Sequence, residues 1–250
     1  MNKSSFSLAA YGLELKERWD EMVGRSKNGN FLHTRDYIGY HSHQFDERSV
    51  LILRNNRPVA VFPCTLHGDR IISHGGLTYG GLIYGTELHA IELLEIFTLL
   101  VAYYKKSGAK KILYKAIPHI FHLYPAEEDL YALSRLGARL VRRDISSVIH
   151  LQNRIKLSDS RKNTIRKALK NNIEFLEMQQ LGDFYELLGD TLKKFDISPV
   201  HTLGELELLR SRFPKNIRLF CAMKDGRVMA GTIVFDFEFI SHTQYLASSD

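Results

Sequence analysis

The stretch SHTQYLASSD (241–250) holds two side chains that move protons, His242 and Tyr245. An imidazole serves as a base near neutral pH and a phenol as an acid. The run is β-rich, and a regular strand alternates its side chains. Ile240, His242, Gln244 and Leu246 then take one face, and Phe239, Ser241, Thr243 and Tyr245 the other. The pair reaches one site only across a bulge; otherwise His242 is a hydrogen-bonded strand-end residue. A third candidate, His201, stands in PVHTLGELELLRSRFP (199–214), just before a helix start. Loops place functional groups there, and local capping uses the same position. Arg210 and Arg212 follow on that helix. His119 and His122 are three apart but show no third ligand, so no metal is expected. His41 and His43 cannot share one helix face.

A second cluster is conformational. SHGGLTYGGLIYG (73–85) holds Gly75, Gly76, Gly80, Gly81 and Gly85, with Tyr79 and Tyr84 beside them. No Gly-Lys-Ser/Thr follows, so it is not a P-loop, and its spacing is not G-x-G-x-x-G. It reads as a strand exit where the backbone turns tightly or lets another group come close.

The 250 residues are 44% hydrophobic and 25% charged, ordinary for a globular protein. No signal peptide is evident. The most apolar helical stretch, 93–104, is too short to cross a bilayer. Cys64 and Cys221 make neither a disulfide framework nor a CxxC, so a reduced, cytoplasmic protein is expected. The net charge of +6 is local. Residues 154–172 carry seven basic residues, among them Arg161, Lys162, Arg166 and Lys167, against Asp159 alone. Such a patch implies a local anionic partner or a solvated face rather than general nucleic-acid coating.

These residues sit in a pattern that occurs twice. Strands are expected at 49–54, 59–66 and 70–74, joined by NNRP and HGD turns; the series returns at 217–242 around KDGR. At an offset of 170, Arg57 meets Arg227 and Ala60 meets Ala230; a two-residue slip then lays SHGGLTYGG on SHTQYLASS at an offset of 168. Two helical stretches precede each copy: 13–24 and 35–43, then 182–195 and 203–212. The last opens with a capping box, Thr202 and Glu205. A helix over 87–107, a strand over 110–117, a helix over 127–136 and a strand over 138–151 complete copy one. Only eight residues follow His242, so a truncated second copy with an uncovered apolar face is expected.

The order of elements resembles the GNAT acyltransferase fold. Two such units joined by a basic helix are similar to the FemAB-type branch of peptidoglycan-bridge aminoacyltransferases and their relatives. The resemblance is carried by SHGGLTYGGLIYG, AEEDLYAL (126–133), VRRDISSVIHLQNRIKLSDSRK (141–162), PVHTLGELELLRSRFP and SHTQYLASSD. It implies an α/β fold of tandem GNAT-like units with mixed, mainly antiparallel sheets: 1–153, then 154–250 with the basic connecting helix and an incomplete second unit. It implies transfer of an acyl group from acetyl-CoA or another acyl-CoA to an amine on a cell-envelope or polysaccharide precursor. His242 and Tyr245 would be catalytic, and Ser248 and Ser249 would lead to the donor. Tyr37 and His41 stand where peptidoglycan enzymes commonly carry an aromatic and a lysine. With Tyr79, Gly80, Gly81, Arg161, Arg166, His201 and Arg212 they would bind an acceptor, one able to carry an anionic group such as phosphate. Two alternatives stay open: an aminoacyl-tRNA-dependent transferase, and a non-catalytic module for an anionic glycan or nucleic acid.

Overall fold

The chain divides into two units, Met1–Arg139 and Leu140–Asp250. A computed structural model describes residues 5–249.

Unit 1 runs β1 (Phe6–Ala10), α1 (Lys16–Gly24), α2 (Arg35–Ile38), β2 (Asp46–Glu47), β3 (Val50–Arg54), β4 (Arg57–Phe62), β5 (Thr65–His67), β6 (Arg70–Ile72), β7 (Ile83–Tyr84), α3 (Ala90–Lys106), β8 (Lys111–Leu113) and α4 (Glu128–Arg135). The β3–β4 hairpin turns on Asn55 and Asn56, both at positive φ (50° and 60°), as a two-residue primed turn needs. The strand expected over 59–66 is broken at Pro63, which has no N–H to give a ladder. β4 therefore stays in the antiparallel sheet β1-β3-β4-β7, and β5 enters a second sheet, β2-β5-β6-β8. The expected three-strand meander is thus two hairpins, with β7 rather than β6 flanking β4. α3 lays Leu93, Ile96, Phe97, Leu100 and Tyr104 on Val50, Ile52, Ala60, Phe62, Leu82 and Tyr84, all buried. Burying each large apolar side chain is worth about 1.5–3 kcal/mol, so this face dominates the unit's stability. α1 packs along β4 and buries Trp19, Met22 and Val23.

Unit 2 runs α5 (Asp159–Lys170), β9 (Glu174–Met178), α6 (Gly182–Lys193), α7 (Leu203–Arg212), β10 (Ile217–Lys224), β11 (Arg227–Asp236) and β12 (Ser241–Ser248). The four strands form one antiparallel sheet, β12-β11-β10-β9. α7 opens on the expected capping box. The strand expected over 138–151 does not form: 138–150 is exposed and irregular, with Arg142 paired locally to Asp144.

The repeat is present in the hydrogen-bond register. Ile52 faces Ala60 and Leu53 faces Pro58 across a bulge. Ala222 faces Ala230 and Met223 faces Val228 across a bulge at the same place, each residue 170 further on. The fourth strand follows a different shift. Ala60 pairs with Tyr84 and Ala230 with Ser248, so Tyr84 corresponds to Ser248, 164 on. This corrects the expected overlay: Gly80-Gly81 do not fall on Ser248-Ser249. Both units order their elements strand, two helices, hairpin, fourth strand. Among the described residues no helix is long and apolar enough to cross a membrane.

Candidate active site

In unit 2 the sequence around His201 is fixed from both sides. Thr202 caps α7, its Oγ1 accepting from Glu205 N at 3.2 Å, while Glu205 Oε2 accepts from Thr202 N at 2.7 Å. On α6, Phe184 and Leu188 are buried, which sets the helix's rotation, and Tyr185 Oη donates to the His201 carbonyl at 3.1 Å. The His201 imidazole is thereby placed with Nδ1 2.6 Å from Tyr245 Oη, the rings crossing edge-on at 88°.

Tyr245 reaches that position through a bulge. Ile233 pairs with Tyr245 and Val234 with Thr243, leaving Gln244 as the extra residue of β12; Phe235 pairs with His242. Ile233 and Phe235 are two apart and share a face, so Tyr245 and His242 share it too. The condition under which the sequence allowed one site for both is met. They stand two ladder positions apart, roughly 7 Å along the strand. Burial lowers the His201 pKa, opposed by Glu205. Burial raises the Tyr245 pKa, opposed by the His201 peptide group and the Gln244 side chain. At pH 7 the pair is thus a neutral imidazole and a neutral phenol sharing one hydrogen bond.

Ser248 and Ser249 end β12, exposed, with Ser249 N bonded to Met229 O at 2.8 Å. Ser248 borders an open groove of about 430 Å³ lined by Phe175, Phe220, Ala230, Thr232 and Leu246. These lie on the sheet face opposite Tyr245. Arg161 and Arg166 are exposed on α5, and Arg212 is exposed on α7. Arg210 is structural: its guanidinium donates to the carbonyls of Met178 and Gln179, tying α7 to β9.

The remaining candidates meet inside unit 1. His41 packs between Tyr40 (4.0 Å), Phe45 (5.0 Å) and His74 (5.4 Å), and Tyr37 packs on Tyr40. A Cβ at Gly76 would lie 1.7 Å from His41 Nε2, and one at Gly80 would lie 2.2 Å from the Ser73 carbonyl. Gly81 has φ +58°. Gly76 therefore lets the stretch approach His41, and Gly80 lets it fold back on its own Ser73. Tyr79 stacks on Phe121 at 5.1 Å and lies 5.9 Å from His33. Burial pushes His33 and His74 down to about 3. The motif AEEDLYAL serves this unit's core: Tyr114 Oη donates to Asp129 at 2.5 Å, and Tyr84 Oη and Lys27 bind Glu128. His122 bonds the Ile117 carbonyl, and among the described residues no group of three His, Cys, Asp or Glu could hold a metal.

Sequence reading missed His33 and Tyr185. One signal was available: His-Thr precedes the second helix of both units, as His33-Thr34 and His201-Thr202.

No protein-family profile matches the chain, and no curated protein matches it in sequence. Solved structures do. FemX aligns with a TM-score of 0.62 at 12% identity, over 98% of this chain and 81% of its own. L-PGS from Bacillus licheniformis aligns at 0.59 and 12%, over 94% of this chain and 66% of its own. The C-terminal domain of a proposed lysylphosphatidylglycerol synthetase from Agrobacterium fabrum aligns at 0.57 and 11%, over 95% and 69%. The fold is α/β, with mainly antiparallel sheets, of the FemAB and GNAT-like kind.

Proposed function

We propose that the chain is an acyltransferase. It passes an acyl group from a coenzyme A thioester to an amine on a cell-envelope or polysaccharide precursor. The carrying observation is the 2.6 Å His201–Tyr245 bond on the strand face that also presents His242. The amine nitrogen attacks the thioester carbon, the new C–N bond forms, and the C–S bond breaks. His242 takes the proton leaving the amine. Tyr245 gives its phenol proton to the departing sulfur, the phenolate is held by His201 Nδ1–H, and water returns the proton from His242 to Tyr245. General acid–base steps of this kind contribute about 10²–10⁴-fold. In this reading Ser248 and Ser249 lie on the donor side. Arg161, Arg166 and Arg212, exposed on unit 2, meet an anionic part of the substrate.

The test uses hydroxylamine as a surrogate amine and acetyl-CoA as donor, read as acetyl-hydroxamate. Tyr245→Phe and His242→Ala should each lower turnover about 100-fold or more, with melting unchanged. Undiminished turnover in both would remove the acid–base assignment. A second reading, aminoacyl-tRNA as donor, is favoured by the likeness to FemX and by the exposed basic face of α5. Transfer that vanishes on RNase treatment would select it; transfer with purified acetyl-CoA would reject it.

A further inference from the structure

We propose that Tyr185 is a positioning residue that sets the orientation of the Tyr245 phenol through the backbone of His201; its catalytic meaning rests on the reading of Tyr245 as proton donor. His201 follows the loop 194–200, which has little packing of its own: Phe195, Ile197 and Val200 are exposed and Asp196 has φ +56°. Tyr185 spans that loop from α6, donating to the His201 carbonyl, while Glu205 of the capping box accepts from the Thr202 N–H of the same peptide. With the peptide that follows it held at both its oxygen and its nitrogen, the buried imidazole keeps Nδ1 on Tyr245 Oη. The groups facing it are Tyr185 on α6, Glu205 on α7 and Tyr245 on β12.

Unit 1 contains part of the same arrangement with a different donor; there His33 Nδ1 accepts from Asn30 N at 3.1 Å instead of bonding a tyrosine. Trp19, on the first helix of its unit, donates Nε1–H to the His33 carbonyl at 2.8 Å. His33 precedes Thr34 and the second helix, and its ring lies 5.9 Å from Tyr79. In unit 2 the His201 and Tyr245 rings are likewise 5.9 Å apart. An aromatic donor on the first helix, a histidine carbonyl before the second and a tyrosine beyond the hairpin therefore recur in both units. The recurrence marks a latch rather than an incidental surface bond.

The experiment compares Tyr185→Phe, which removes the donor, with Tyr185→Trp, which installs the donor unit 1 uses. The first readout is ¹⁵N NMR of the His201 imidazole in the full chain. Wild type and Tyr185→Trp should show one tautomer and one titration. Tyr185→Phe should show averaged nitrogen shifts and a His201 titration moved toward the ordinary histidine range, with melting nearly unchanged. The second readout is hydroxamate formation, where Tyr185→Phe should lower kcat about tenfold to a hundredfold at constant KM and Tyr185→Trp should recover most of it. An unchanged His201 spectrum in Tyr185→Phe overturns the proposal, as does loss of melting temperature matched by equal loss in Tyr185→Trp. A changed spectrum without transfer in wild type upholds the latch and rejects the acyltransferase reading.

Discussion

The two units build one local plan to different ends. In unit 1 the latch donor Trp19 and His33 are fully buried, and Tyr79 is 7% exposed beneath its stacking on Phe121. In unit 2 the donor is a half-buried phenol, His201 is 5% exposed, and Tyr245 is half-buried and hydrogen-bonded to it. The sheets differ in the same direction. In unit 1 the β3–β4 face is sealed by α3, with Leu82 fully buried. The corresponding Leu246 is 64% exposed, and Phe175 beside it is 71% exposed. The glycine-rich stretch closes unit 1 over its histidines; unit 2 replaces it with the strand that carries His242 and Tyr245. A repeated backbone thus yields a sealed core in one copy and, in the other, an exposed His242 and a half-buried Tyr245 on one strand face.

The largest effect should come from Trp19→Ala, at about 3–5 kcal/mol of unit 1 stability by loss of a buried aromatic. Denaturant unfolding measures it, and a loss below 1 kcal/mol would break the claim that this latch is structural. Gly80→Val comes next, at about 1–3 kcal/mol, because its Cβ would strike the Ser73 backbone rather than a side chain that can move. A melting temperature equal to wild type, with turnover lost, would instead make this stretch a substrate wall.

The sealed unit should also be the acid-labile one. His33 and His74 titrate at about 3 when folded, against 6.5 for a free histidine. The unfolded chain therefore binds more protons between those values, and stability falls as pH drops from 6.5 toward 3. Asp129 acts oppositely: burial raises it from 3.8 to about 6, so its contribution is present at low pH and lost as pH rises through 6. Burial lowers His201 and His242 of unit 2 in the same direction, but His33 and His74 fall as far as about 3, so hydrogen exchange should show unit 1 opening before unit 2 at pH 4. The reverse order would refute the burial argument. The smallest effect is expected at Leu246→Ala, within about 0.5 kcal/mol as for an open surface, against about 2–5 kcal/mol for Leu82→Ala. Equal costs would mean that the second face is covered in solution.

Local signals were legible where the chain satisfies itself. Asn55-Asn56, the Thr202–Glu205 box and the α3 stripe appear as the sequence implied. The strands β1 and β9 went unread because each is five residues long and is defined by its partner. The run 138–151 has strand-like composition but meets no ladder, so its alternation has nothing to bury. At the site, His201, His242 and Tyr245 were each chosen by residue type and position. Their grouping was not, since it depends on Gln244 taking no partner in β11 and on a bond spanning 44 residues.

By itself, then, the sequence determined the repeat, the helix starts, the turns and the residues able to move protons, because these depend on neighbours within a few positions. The tertiary structure decided three things. It set the shift of the fourth strand, which only the ladder fixes. It chose which histidine meets which tyrosine. It buried the histidine in both copies but left only the unit 2 tyrosine, Tyr245, half-exposed, because burial depends on what packs above a residue rather than on what precedes it.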